Sequence, residues 1–123
     1  MSPEEIHNKK LIAVAGKDVF GKRFINIVNK EIAPKKLLLI GININEEDFY
    51  FFISNLPKSK VEVTIFMPNY QEAAAKYFGN DGYLLACFKK NGSLDFINSK
   101  NKESIDDIKL LELVEKIIDS SKG

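Results

Sequence analysis

The sequence predicts an α/β domain with three layers, in which helices cover both faces of a mixed five-stranded sheet. Apolar runs typical of strands alternate with segments whose apolar residues recur at helical spacing. The last two runs flank Asn91-Gly92, a strong hairpin signal because both residue types tolerate positive φ. The predicted order is therefore β-α-β-α-β-α-β-β-α, with parallel crossovers followed by one antiparallel hairpin.

The first half of the chain predicts two strands and the helix between them. Residues 11–15 are apolar and end at Gly16, and a helix is expected from Asp18, a residue type that caps helix N-termini. We expect that helix to end before Pro34. Its expected apolar face comprises Phe20, Phe24, Ile27, Val28 and Ile32. Residues 37–44 are almost continuously apolar, which predicts a central strand covered on both faces.

The second half predicts three helices and three strands. A short helix is expected to end at Pro57, with an apolar face of Phe49, Phe52, Ile53 and Leu56. Residues 61–65 alternate as a strand does, and residues 70–78 favour a helix closed by Gly79. Ser104 is the predicted cap of the last helix. The apolar face of that helix is predicted to comprise Ile105, Ile108, Leu111, Val114 and Ile118.

Length and composition predict one domain and disfavour several partners. The chain has 123 residues, 45% of them hydrophobic, so we expect a polar, flexible lead over residues 1–10 and a single domain over residues 11–123. Its 18 basic and 17 acidic residues are mixed along the chain, which disfavours nucleic acid and a membrane surface as partners. Cys87 has no second cysteine to pair with, and no apolar leader is present, so a cytoplasmic location is expected.

The first strand-to-helix turn has the spacing of a nucleotide-binding P-loop without its full chemistry. Gly16, Gly21 and Lys22 match G-x-x-x-x-G-K, but position 23 is arginine where the magnesium ligand is a serine or threonine. Asp18 adds a carboxylate where a phosphate needs free N–H groups. We therefore interpret the segment as a structural turn and predict no nucleotide cofactor.

The later part of the chain resembles the thioredoxin family. Ala74-Ala75-Lys76-Tyr77, Gly82-Tyr83 and Lys90-Asn91-Gly92 are similar to that family's third helix and following hairpin, and the element order fits over residues 11–119. The resemblance implies a thioredoxin-like fold. In this family the second strand (residues 37–44) is expected inside the sheet, with the last hairpin at one edge.

The chain lacks the redox centre that the resemblance implies. Residues 45–49, Asn-Glu-Glu-Asp-Phe, stand where the family has Cys-x-x-Cys, and Leu84 stands near the position of its cis-proline. Three acidic residues at a helix start favour the helix and disfavour a thiolate. We therefore predict no dithiol chemistry, and we expect Cys87 to be a buried structural thiol.

A second resemblance is to phospholipase D-like domains. KKLLLIGININ and KVEVTIFMPN are similar to their first half, and Asn98-Ser99-Lys100-Asn101 is similar to a G-S-x-N element. That reaction needs a histidine nucleophile, whereas the single histidine is His7 in the lead. This alternative implies a domain that binds a small ligand or nucleic acid without catalysis, with its hairpin strands in the centre of the sheet.

The candidate site is a protein-contact surface. One histidine and one remote cysteine do not make a zinc site, and the acidic pairs and triplets lie at predicted helix starts. Residues 49–52 are consecutive aromatics, so a helix cannot bury all four, and Tyr50 or Phe51 is expected to point outward unless the lead or a loop covers it. With Glu46 and Glu47 beside them, these residues predict a redox-inactive, non-enzymatic binding or assembly module whose partner is another protein or a second copy.

Overall fold

The computed structural model of the protein describes residues 9–122 and contains one mixed five-stranded sheet. The strands are β1 (Lys10–Gly16), β2 (Leu37–Asn43), β3 (Val61–Phe66), β4 (Tyr83–Lys90) and β5 (Ser93–Ser99). The helices are α1 (Arg23–Ile32), α2 (Phe49–Asn55), α3 (Pro68–Phe78) and α4 (Asp107–Lys122). The predicted element order is confirmed. Residues 1–8 of the predicted lead lie outside the described residues, and β1 already begins at Lys10.

The sheet order is β2-β1-β3-β4-β5. β1 pairs in parallel with β2 and β3, and β4 pairs antiparallel with β3 and β5. The step from β1 to β2 and the step from β2 to β3 run in opposite directions across the sheet. Because crossovers are right-handed, their helices lie on opposite faces. One core accordingly joins the sheet to α1 and α4, and the other joins it to α2 and α3, which makes three layers.

The prediction that residues 37–44 form an interior strand is wrong, because β2 lies at one edge of the sheet. Its apolar run reflects the helices α1 and α2 that cover its two faces, and it carries no information about how many strands flank it. The hairpin of β4 and β5 lies at the other edge, as the thioredoxin-like arrangement predicted. A central hairpin, the arrangement expected for the phospholipase D-like alternative, is not observed.

The first helix begins later than predicted. Asp18 lies in a loop, Lys22 occupies the N-cap position, and α1 starts at Arg23. Phe20 precedes the helix and is 75% exposed, so the predicted apolar face is corrected to one centred on Ile25, Val28 and Ile32. Two of the predicted positions, Val28 and Ile32, are buried, whereas Ile27 is 39% exposed. The expected end of the helix before Pro34 is confirmed.

The last helix also begins later than predicted, and Ser104 does not cap it. The Asp106 carboxylate accepts the N–H of Lys109 at 2.8 Å, which makes Asp106 the N-cap. The later start turns Ile108 outward, where it is 69% exposed. Of the predicted face, Ile105 and Val114 are buried as expected, and Leu110, Leu113 and Ile117 of α4 are buried with them.

The remaining elements follow the sequence expectations closely. α3 begins at Pro68, two residues before the predicted start, and Gly79 closes it with φ 72°. Asn91 and Gly92 turn the hairpin with φ of 51° and 82°, as their residue types predict. Phe49 and its expected partners on α2 face the core.

Candidate protein-contact surface

The crevice in which open α/β sheets most often bind ligands is filled by the chain itself. Such crevices lie beyond the carboxyl ends of adjacent strands whose connections leave to opposite faces, here β1 and β3. Val19 and Met67 pack there against Gly16 so closely that a Cβ on Gly16 would lie 2.5 Å from Val19 Cγ2 and 2.7 Å from Met67 Cγ. Val19 is 1% exposed. Protein side chains therefore occupy the position of a bound ligand.

Asn43 holds the loop that fills this crevice. Its Oδ1 accepts the backbone N–H of Val19 at 2.6 Å and that of Phe20 at 2.8 Å. These N–H groups belong to the segment with P-loop spacing, and the bonds to Asn43 make them unavailable to a phosphate. Asp18, the predicted cap, instead forms an exposed ion pair with Lys22 at 3.1 Å.

The acidic residues of the predicted site lie at the same end of the sheet. Glu46 and Glu47 belong to a 3₁₀ turn, Glu46–Asp48, that leads directly into α2. Glu46 accepts a hydrogen bond from Lys17, and this bond lowers the pKa of Glu46 and raises the pKa of Lys17. Both side chains are solvent-exposed, so the pair adds little stability. Within the described chain, neither Glu47 nor Asp48 has an ion-pair partner.

Phe49 anchors α2 to the rest of the molecule. Its ring is 2% exposed and stacks on Tyr70, with centroids 4.5 Å apart and ring planes 9° apart. It also makes an edge-to-face contact with Phe66, with ring centroids 6.2 Å apart. The Tyr70 hydroxyl donates to the Ile44 carbonyl, and burial raises the pKa of Tyr70. A buried aromatic stack therefore fixes the start of α2.

The expectation that Tyr50 or Phe51 points outward is confirmed for both residues. Tyr50 is 60% exposed and Phe51 is 75% exposed. The Tyr50 ring lies 6.3 Å from the ring of Tyr77 on α3, which is 42% exposed. Phe51 points to the other flank of α2, where it lines a shallow groove of about 320 Å³ that includes Asn43 and Asp48. We call Tyr50, Phe51 and Tyr77 the aromatic surface.

Asn29 of α1 occupies part of the open edge of β2, a role that sequence reasoning missed. The Leu39 N–H donates to Asn29 Oδ1 at 2.8 Å, and Asn29 Nδ2 donates to the Leu39 carbonyl at 2.9 Å. The side-chain amide thus makes the two bonds that a neighbouring strand would make. An asparagine within a helical segment carries no signal for this contact. Tyr77 and Phe20 were also missed as exposed aromatics, because the periodicity placed Phe20 in the core.

Cys87 lies on β4, and burial defines its chemistry. The residue is 2% exposed, and burial raises the pKa of its thiol to about 12. We predict that the native thiol does not react with an aromatic disulfide reagent at pH 8 and that it reacts fully after denaturation. Fast reaction in the native state, followed by absorbance, would contradict its structural role.

The same thiol gives a pH dependence with a defined sign. The folded state keeps the Cys87 proton above the ordinary pKa of 9.0, where the unfolded state loses it. This contribution to stability is complete below pH 9 and declines as the pH rises toward 12.

The described part of the chain lacks the features of two further classes of site, a metal centre and a membrane-spanning helix. Residues 9–122 contain no group of three or more His, Cys, Asp or Glu side chains that could hold a metal ion. In the same range no helix has both the length and the apolar character needed to cross a bilayer.

Fold and surface together define a three-layer α/β domain with a filled strand-end crevice and an exposed aromatic surface. The sequence matches no protein-family model and no curated protein. The fold is similar to a crystal structure of shikimate dehydrogenase 1 from Peptoclostridium difficile, with a TM-score of 0.61 and 12% identity. The match covers 72% of this chain and 36% of the dehydrogenase chain. At this identity the likeness concerns the fold alone.

Proposed function

We propose that the protein is a cytoplasmic, redox-inactive binding or assembly module that contacts another protein chain through its aromatic surface. The exposure of two consecutive aromatic residues, 60% for Tyr50 and 75% for Phe51, carries this proposal. Apolar aromatic area in water costs free energy that a partner recovers by covering it. Aromatic side chains are also enriched among the residues that dominate protein–protein binding.

The helix that carries Tyr50 and Phe51 is anchored to the core. The Phe49–Tyr70 stack fixes the start of α2, so this helix is in place before a partner arrives. A preformed surface loses less conformational entropy on binding. Glu47 adds an exposed charge at the rim, as polar rims do in protein interfaces.

The redox-inactive part of the proposal depends on the sequence. Residues 45–49 contain no cysteine, and Cys87 is a buried thiol. The thioredoxin-like interpretation is supported by the sequence match around Lys90-Asn91-Gly92 and by the edge hairpin, whereas the edge position of β2 counts against it. The binding proposal does not depend on that family.

Replacing Tyr50 and Phe51 together with serine tests the proposed function. We expect self-association or partner capture to weaken at least about tenfold, because hot-spot truncations commonly cost more than 1–2 kcal/mol of binding. The free energy of unfolding should change by less than about 0.5–1 kcal/mol, because both side chains are exposed. Light scattering and affinity capture measure the first effect, and urea denaturation measures the second.

Ile108→Ser is the matched control, since Ile108 is an exposed apolar residue on α4, a helix of the opposite layer. It should leave association unchanged. If the double variant binds as the wild type does, or if it unfolds, the aromatic surface is not the contact site.

A second candidate, non-catalytic binding of a small ligand, is favoured by a cavity of about 610 Å³ at the opposite end of the sheet. It lies beside α4, and its size is within the range of ligand pockets. Ile12 and Phe88 contribute apolar walls, and Lys10, Lys89 and Glu62 contribute charges of both signs. Val63→Trp, which would fill this space, should abolish ligand-dependent increases in Tm and leave the aromatic surface unaffected.

A further inference from the structure

Part of the edge of β2 offers backbone groups that have no partner among residues 9–122. The Lys36 carbonyl accepts the Lys10 N–H at 3.0 Å, and the Ile44 N–H donates to the Gly16 carbonyl at 2.8 Å. The backbone N–H and C=O groups of the even-numbered residues in this segment therefore point toward β1. Those of the odd-numbered residues point outward, away from β1. Asn29 already binds the outward groups of Leu39. The backbone groups of Gly41 and Asn43 form the open stretch beyond it.

Two exposed phenylalanines flank this open stretch, one from each layer. Phe20 follows Val19, which packs in the core shared by α1 and α4, and the Phe20 N–H bonds to the side chain of Asn43. Phe51 lies on α2 and lines the groove beside Asn43. Both rings are 75% exposed. Open strand groups between two apolar side chains suit the addition of another strand.

The charges at the two ends of β2 are complementary to each other. Lys35 and Lys36 precede the strand, Glu47 and Asp48 follow it, and all four residues are exposed. None of the four forms an ion pair with another described residue. When two copies of one strand pair antiparallel, the start of each lies beside the end of the other. Such a pairing places lysines against acids twice, as a two-fold axis requires.

We propose that the partner is a second copy of this chain, and that the two copies join by antiparallel pairing of their β2 edges at Gly41–Asn43. This inference rests on the proposed function and names the partner that meets the Phe51 flank of the aromatic surface. Pairing Gly41 with Asn43 of the second copy brings the lysines that precede β2 in one copy toward the acids that follow β2 in the other. Phe51 of each copy then packs beside its symmetry mate on one face of the joined sheet. Asn29 excludes the registers that would need the outward groups of Leu39, since its side-chain amide already binds them.

Charge reversal tests the arrangement. We expect K35E/K36E and E47K/D48K each to raise the dimer dissociation constant roughly tenfold or more, because like charges then face each other across the interface. An equimolar mixture of the two variants should form a heterodimer about as tightly as the wild type. Sedimentation equilibrium at physiological salt measures all three samples, and K100E/K102E, which changes two exposed lysines elsewhere, should behave as the wild type.

Asp48 lies at the start of a helix, so its replacement could disturb folding. E47K alone is therefore a second variant that leaves Asp48 unchanged, and circular dichroism checks the folding of each protein.

The inference is overturned if the wild-type chain stays monomeric at high concentration, if charge reversal leaves a dimer intact, or if the mixture fails to restore it. A monomer that still captures a different protein through Tyr50 and Phe51 would overturn this inference and leave the proposed function standing. Association that does not depend on Tyr50 and Phe51 would overturn the proposed function itself.

Discussion

Replacing Phe49 with alanine is expected to lower the free energy of unfolding by about 3–5 kcal/mol, the usual cost of removing a buried aromatic ring. The ring is 2% exposed and touches both Tyr70 and Phe66, so its loss leaves a cavity between α2 and the sheet. Small domains are stable by only about 5–15 kcal/mol, which makes this a large fraction of the total. Chemical denaturation followed by circular dichroism measures the change.

The neighbouring residue provides the control for that experiment. Phe51→Ala removes the same ring from the same helix, but the ring is 75% exposed, so the expected cost is below about 1 kcal/mol. If both variants lose the same stability, Phe49 is not the anchor of α2. If neither variant loses more than about 1 kcal/mol, the segment collapses around the missing ring.

Replacing Gln71 with leucine is expected to cost about 3 kcal/mol although volume is nearly conserved. The Gln71 side chain is fully buried, and its Nε2 donates to the Phe66 carbonyl at 3.0 Å and to the Glu103 carbonyl at 2.8 Å. Its Oε1 accepts the Glu103 N–H at 2.9 Å. Leucine leaves these backbone groups without partners, and each unpaired buried group costs about 1–3 kcal/mol. Chemical denaturation measures the change in the free energy of unfolding.

Hydrogen exchange locates the effect of this substitution. The Glu103 amide should lose its protection in Gln71→Leu before the sheet does, since the segment that leads into α4 is tied to α3 through this residue. Glu103→Gln is the control, because it keeps the backbone bonds and changes only the side chain, which pairs with Lys109 at 3.0 Å and bonds to Ser99. Equal losses in the two variants would show that the side chain of Glu103, and not its backbone, is what Gln71 supports.

Much of the architecture was predictable because apolar periodicity reports which faces are covered. It identified every strand and helix in the right order, with shifted starts for three helices, but it did not show that β2 is an edge strand. Covered faces and paired edges are separate properties, and an apolar run describes only the first. Likewise Asp18 and Ser104 have the residue type of helix caps, but the capping contact is made by Asp106 in one case and is absent at Lys22 in the other.

The candidate site was predictable where it depends on neighbours in sequence. Four consecutive aromatics on one helix require some to face outward, and this led to Tyr50 and Phe51. Asn29 and Asn43 act on backbone groups of remote segments, and such contacts leave no pattern in the chain. The filled crevice depends on Gly16 being small enough for Val19 to pack against it, a detail of tertiary packing.

The side-chain amide of Asn29 affects how early the edge of β2 becomes covered during synthesis of the chain. Asn29 and Leu39 are ten residues apart, and the bonds between them need only β1, α1 and β2. Chains emerge from the ribosome N-terminus first, at about 5–20 residues per second. Asn29 is therefore already synthesised when β2 emerges, and part of the β2 edge can be covered before any residue beyond Asn43 is added.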